Sequence, residues 1–523
     1  MNINSDRSVQ RFALLAFIAL SVTGCATQEN IVFTDGELVE IMQEDERLEL
    51  SYTPESSNNL SLENAMALAV KYNLEHRVKM MEEAVSAQNF ELAKKDQLPV
   101  FAANAGYLDR SNEDASRSIS VLTRKESLEP STSQEPERTN ADLSLRWNLL
   151  DFGVSLLQMK QDANNLEVTT KAREKVMTNL LQQVRRSYWK AVAMEQLRPE
   201  LADILRRVNR ALDNLYAVRE ESLRTPTAVL LEIRALVETK MQISQIEHSM
   251  NLAKVELATL INLPVTESFS LASYQELEIP DFPTFDVETL ETIALINSVD
   301  YASQAYEVRT AQLETRKAMR RLLPSLELSY GDYHHSNDFL WNNQWGELGA
   351  RLTADITQIL YRSQIKEARS ASEALEKLKR RTTRMAVIAS LHLSWQAYQN
   401  SLQVLKTAEV LDEIDRELAG LTNDRKNNSA ATNVQAITDE FRAFSSNIGK
   451  LLSYADAQGS YGAFLSSLGV NPVPENHMSL SMEELSYQIE EGYKSKLADL
   501  KIESTSPSQE EFKQVFSQSP RKE

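Results

Sequence analysis

The sequence predicts a mainly α-helical chain made of two tandem copies of one unit, with two strands per copy that are long enough to enter a membrane β-barrel. Three observations predict it. Turn-forming residues are scarce, at 13 Gly and 14 Pro in 523 residues, while helix-favouring Ala, Leu, Glu, Gln, Lys and Arg abound. The chain repeats itself: Pro99 aligns with Pro324, and LENAMALAVKYNLE from Leu62 then lies over VETLETIALINSVD from Val287 without a gap. After each of these prolines the apolar residues change from a helical stripe to strict alternation.

The first element is an export signal over 1–24. Arg7 and Arg11 precede the apolar run Phe12–Leu20, which is too short for a helix that needs about 20 residues to span a bilayer. Val22-Thr23-Gly24-Cys25 follows and resembles a bacterial lipobox, in which the Cys25 thiol receives the lipid. Ala26 and Thr27 stand where an Asp would signal inner-membrane retention, so the resemblance implies an outer-membrane destination. Residues 25–60 are expected to run as an extended, lipid-anchored lead. Cys25 is the one cysteine of the chain, which excludes an internal disulfide and a multi-cysteine metal site. A net charge of −19, with basic residues dispersed among acids, excludes nucleic acid as a partner.

The first repeat covers 61–263 and the second 287–470, joined by the proline-bearing linker 264–286 (Pro264, Pro280, Pro283). Beyond the strands the register of the repeat changes: ATLINLPV from Ala258 lies over AFLSSLGV from Ala463, and Val229 falls on Val434 at the same spacing. Helices are expected at 61–97, 153–220 and 228–263, and again at 287–322, 362–422 and 434–468. A helix of about 65 residues is roughly 100 Å long and must lie against others. The stripe Leu180, Leu181, Val184, Tyr188, Ala191 and Met194 supplies that contact. From Asn471 the extension 471–523 holds one short helix, about 482–500, before a polar end whose composition predicts disorder.

Strands are expected at about 99–110, 140–150, 324–333 and 345–357. Phe101, Ala103, Ala105 and Tyr107 share one face, as do Leu143, Leu145, Trp147 and Leu149, with Ser144, Arg146 and Asn148 opposite. A half-buried soluble sheet would alternate in the same way. Length decides for the membrane, since each stretch has about the 9 to 11 residues of a tilted transmembrane strand and the chain carries an export signal. Four strands cannot close a barrel, which needs about eight at least, whereas three chains of four make a trimeric 12-stranded barrel.

The doubled order, the Leu-Pro helix exits, LSLRWNLLDFG ending at Gly153, the return helices ending in LINLP and LSSLG, and the lipobox together resemble the outer-membrane efflux protein family of TolC over about residues 60–470. The resemblance implies a homotrimeric tunnel, a β-barrel continued by a long periplasmic α-helical barrel. It also implies a periplasmic adaptor and an inner-membrane transporter as partners. The helical tips, where relatives close the tunnel and meet the adaptor, then fall at Ser222 and Leu223 in the first copy and at Asp424, Asn427, Asn428, Asn433 and Asp439 in the second. Two positions at which the family often carries Asp are Asn433 and Ala436 here, which puts the usual drug-pump partnership in doubt and opens a type I secretion partner.

No catalytic constellation is present. The six histidines form no HExxH, no glycine-rich phosphate loop occurs, and no cofactor is expected. Arg146, Glu327, Arg351 and Asp355 are the candidates for charges lining the barrel. The alternative expectation is a periplasmic coiled-coil lipoprotein, structural or adaptor in role, that conducts nothing.

Overall fold

The computed structural model describes residues 32–51, 59–221, 225–264, 269–272, 287–427 and 433–505. Cys25 and the signal peptide expected over 1–24 lie outside them. The chain divides into two units, Met1–Pro54 and Glu55–Glu523. In the first, helix α1 (Asp35–Ser51) replaces the extended lead expected there. Its start is a capping box: Thr34 N and Oγ1 donate to Glu37 Oε2 at 2.7 and 2.8 Å, and Glu37 N donates back to Thr34 Oγ1 at 3.3 Å.

The second unit opens with α2 (Leu62–Tyr72) and α3 (Leu74–Lys95), where one helix was expected. Asn73 makes the break, because its side chain accepts from His76 N at 3.1 Å and starts a new helix within the run. The second copy breaks at the equivalent position, Ser298, between α6 (Val287–Asn297) and α7 (Val299–Arg320), with Ser298 Oγ accepting from Tyr301 N at 3.1 Å. Asn73 also donates from Nδ2 to Leu260 O at 3.1 Å. Asn73→Ala should therefore lower the thermal midpoint through a loss of about 1 kcal/mol or more, seen by circular dichroism. An unchanged midpoint would deny the cap any energetic role.

Each descending segment ends in one tight turn before its proline, with Leu98 N bonded to Lys95 O and Leu323 N to Arg320 O, both at 2.9 Å. Proline then starts an extended stretch in which its missing N–H costs little. The four main strands are β1 (Val100–Asp109), β4 (Glu137–Asn148), β5 (Ser325–His335) and β6 (Gln344–Thr353). They form one antiparallel sheet in the order β1-β4-β5-β6, and a small ribbon, β2 (Ala115–Ser116) with β3 (Ser131–Thr132), sits in the loop between β1 and β4. β6 stops at Thr353, short of the expected 357, because Asp355 caps the short helix α8 (Ile356–Leu360) by accepting from Gln358 N at 3.1 Å. Likewise β4 ends where Asn148 Oδ1 accepts from Leu150 N and Asp151 N at 3.0 and 3.3 Å.

The long helices are α4 (Leu149–Glu220) and α9 (Arg362–Asn427), with return helices α5 (Pro226–Leu260) and α10 (Asn433–Ser467). α4 packs along α3, α5, α7 and α10, and α9 along α7 and α10. Each return helix ends near a descending one, so the two together flank the long helix. Asn297 Nδ2 reaches Leu468 O at 3.4 Å across this join. Gly469 has φ +75°, and a Cβ there would meet Asn297 Cβ at 2.4 Å, so glycine is needed for conformation and for space alike.

One apolar core joins α4 (Leu197, Ile204, Val208, Leu215) to α5 (Val229, Leu236, Ile243) and α10 (Val434, Phe441, Phe444, Leu451). A second joins α2, the middle of α4 and the end of α5 to Val473, Leu485 and Ile489. The last two belong to α11 (Met482–Thr505), which packs on α2.

Candidate functional site

The strand register sorts side chains onto two faces. On one lie Phe101, Ala103 and Ala105 of β1, Leu143, Leu145 and Trp147 of β4, Leu326, Leu328 and Tyr330 of β5, and Leu348, Ala350 and Leu352 of β6. This face is open in the single chain: Phe101 is 67% exposed, Leu348 82% and Leu352 71%. A surface this apolar, presented by adjacent strands, calls for a lipid or protein cover. It turns polar towards the loop end of the sheet, where Tyr107 OH donates to Glu137 Oε1 at 2.9 Å and Tyr330 OH to Asp332 Oδ1 at 3.0 Å.

The opposite face is polar. It carries Asn104, Arg138, Asn140, Asp142, Ser144, Arg146, Asn148, Glu327, Ser329, Glu347 and Arg351 in register. Three of the four expected wall charges stand here: Arg146 opposite Ser329, and Glu327 directly opposite Arg351. Asp355 does not, because it caps α8 beyond the last strand pair. Sequence reading missed Arg138, Asp142 and Glu347 on the same face, of which Asp142 accepts from Asn104 Nδ2 at 2.8 Å. Asp142 and Glu347 lie within the strands expected at 140–150 and 345–357, where alternation already places them on this face, and Arg138 comes in because β4 begins at Glu137. The strand charges on this face, three arginines and three carboxylates, balance.

All four strand ends that lead into helices lie at one end of the sheet, and the loops lie at the other. β4, with its 12 residues, is about 40 Å long at ~3.3 Å per residue, which at a tilt of about 40° covers about 30 Å. The edges, β1 and β6, carry unpaired backbone groups along their outer sides. Among the described residues no helix is long and apolar enough to cross a membrane.

At the far ends of the helices, Ser222, Leu223 and Asn428 lie outside the described residues, and Asn427 is the last residue of α9. Asp424 is exposed, and so is Asn433 at the start of α10. Asp439 is engaged, accepting from Thr422 Oγ1 of α9 at 2.9 Å while its other oxygen meets Arg442 at 3.1 Å. It holds two helices together.

A charged clasp higher up gave no local signal, because it depends on which helices become neighbours. The guanidinium of Arg207 on α4 makes a two-pronged bond to Glu440 on α10 and also meets Asp203 at 3.0 Å. The carboxyl of neighbouring Glu200 is raised above its usual range, first by burial and then by the charge of Glu440. On the other side of α10, Lys450 is bonded to buried Asp412 of α9, which Arg416 also meets at 2.7 Å. Arg207 and Asp412 are equivalent positions of the two repeats and carry opposite charge.

No protein-family model matches the chain, and no curated protein matches it in sequence. Solved structures match its fold. The outer-membrane channel OprN aligns with TM-score 0.61 at 15% identity, over 78% of this chain and 89% of its own. The open state of the MtrE outer membrane channel of Neisseria gonorrhoeae aligns with TM-score 0.61 at 15% identity, over 78% and 88%. The CmeC outer membrane channel of Campylobacter jejuni aligns with TM-score 0.61 at 12% identity, over 82% and 89%. The chain thus has the fold of TolC-like outer-membrane channels, mainly helical with long helices and a four-stranded antiparallel sheet, as its sequence predicted.

Proposed function

We propose that the protein is the outer-membrane exit duct of a tripartite export system, a passive homotrimeric channel fed by an inner-membrane transporter through a periplasmic adaptor. The observation that carries this reading is the sheet: one face apolar and exposed, the other polar with balanced charge, and both edges free. Pairing β6 of one chain with β1 of the next closes twelve strands around the polar face and turns the apolar face to lipid. Lipidation at Cys25 anchors the protein in the outer membrane, and the helices continue the bore into the periplasm.

The test is single-channel conductance of lipidated protein in planar bilayers, together with trimer mobility that shifts on heating. Stable conductance steps and a heat-sensitive trimer are expected. Their joint absence rejects the duct in favour of a non-conducting coiled-coil lipoprotein.

At the tip, Ser222, Leu223, Asp424, Asn427, Asn428 and Asn433 form the gate and adaptor contact, with Asp439 behind them as a brace. Three copies of Asn433 close through neutral side chains where related proteins often carry Asp. Asn433→Asp should therefore strengthen closure and make it sensitive to cations, because three carboxylates brought together attract a counter-ion. Unchanged conductance and unchanged cation block would remove Asn433 from the gate.

A further inference from the structure

Two histidines meet where the C-terminal segment crosses the break between α2 and α3. His76 is 0% exposed and His477, in the short 3₁₀ turn His477–Ser479, is 3% exposed. Their ring centroids lie 5.6 Å apart, with the planes tilted by 40°. Nδ1 of His76 lies 2.8 Å from Val70 O, and Nδ1 of His477 lies 3.0 Å from Pro474 O. A carbonyl only accepts, so each Nδ1 carries the proton and each neutral ring leaves a lone pair on Nε2. Both Nε2 atoms are buried without a hydrogen-bond partner.

The groups around the pair oppose a positive charge. Arg77 of α3 and the His477 ring act on His76, Lys71 of α2 acts on His477, and Arg173 of α4 acts on both. Arg173 is paired with Glu83, Arg77 Nε donates to Lys71 O at 3.2 Å, and Lys71 Nζ donates to Leu480 O of the C-terminal segment. Of the acids on that segment, Glu475, two residues before His477, is exposed, and Glu484 is taken up by Ser481 N at 3.0 Å and Ser481 Oγ at 2.9 Å. Burial pushes His76 down to about 4 and lowers His477 as well. The second repeat has Tyr301 in the place of His76, so the arrangement belongs to the first copy alone.

We propose that His76 and His477 form a proton-operated latch, which holds the C-terminal segment 471–498 on the α2–α3 break at neutral pH and releases it in acid. The docked form requires both rings neutral, whereas the released form lets each take up a proton near its ordinary pKa of about 6.5. Released segment therefore binds more protons than docked segment, and docking weakens as pH falls below about 6.5. Each ring contributes up to about tenfold per pH unit, and the two together up to about a hundredfold.

Hydrogen exchange of the full-length trimer, corrected for intrinsic rates, tests this. Protection of amides in 477–497 should fall at least about tenfold between pH 7.0 and 5.5 relative to amides of α10. In His76→Phe/His477→Phe, which keeps two rings but cannot take up a proton, that fall should vanish. His477→Gln, which retains a donor for Pro474 O, should halve the logarithmic slope. Constant protection in the unaltered protein, or an undiminished fall in the double variant, would overturn the latch.

Discussion

Leu348→Arg should leave the helices folded while depleting assembled trimer from the membrane almost completely. Leu348 lies in the middle of β6, opposite Tyr330 on the apolar face, and is 82% exposed in the single chain, so no packing inside the chain depends on it. An arginine at mid-depth on the lipid face of a barrel costs about 2–4 kcal/mol. A trimer carries the change three times. Membrane fractionation and heat-sensitive mobility give the readout, with Leu348→Phe expected to behave as the unaltered protein. Gly349, whose side faces the other way, is the wrong site for this control, because a Cβ there would meet Ser329 Oγ at 2.6 Å. Normal insertion of Leu348→Arg would show that this face does not meet lipid.

In the proposed duct, Arg207→Ala should raise the fraction of time that the channel is open. The clasp to Glu440 is partly exposed, with side chains 33% and 41% accessible, so its direct contribution is about 1 kcal/mol, or roughly fivefold in an open–closed equilibrium. The larger consequence is what remains: Glu440 then faces Glu200 without the shared guanidinium, and the two carboxylates push α10 away from α4. Glu200 holds its proton more tightly in the docked state than when exposed. Docking of α10 should therefore strengthen as pH falls through the range above the ordinary carboxyl value, and weaken as pH rises through it. Conductance of Arg207→Ala measured between pH 7.5 and 5 should decline towards that of the unaltered channel. Glu440→Gln in the same background should lessen this pH response without abolishing it, because the burial of Glu200 remains. An open fraction that ignores all three changes would show that α10 does not move against α4.

Much of this architecture was legible. Pro99 with Pro324 and the alternation beyond them revealed both the repeat and the sheet, because helix termination and strand faces are local chemistry. The breaks at Asn73 and Ser298 carried a signal too, a capping residue in a helical run, but the periodicity on both sides continued across it and hid it. α1 was likewise readable from Thr34 and Glu37. Arg146, Glu327 and Arg351 fell on the expected face, whereas Asp355 was misjudged because its capping preference outweighed the alternation around it. Arg207, Glu440 and the two buried histidines could not be found from the sequence. Their partners lie 233 and 401 positions away in the chain, and only the packing of α10 on α4 and of the C-terminal segment on α2 brings them together.

The opposite charges at Arg207 and Asp412 have a consequence for symmetry. Two copies per chain in a trimer would make a ring of six equivalent helical hairpins, and six equivalent hairpins can only widen or narrow in unison. With a cation at this position in one copy and an anion in the other, α10 is tied to α4 by one set of charges and to α9 by another of reversed polarity. In the proposed trimer the ring would then be threefold rather than sixfold, with three hairpins free to swing while three stand still. An iris needs that inequality, and in the proposed duct the opposite charges at this pair of positions would help to supply it.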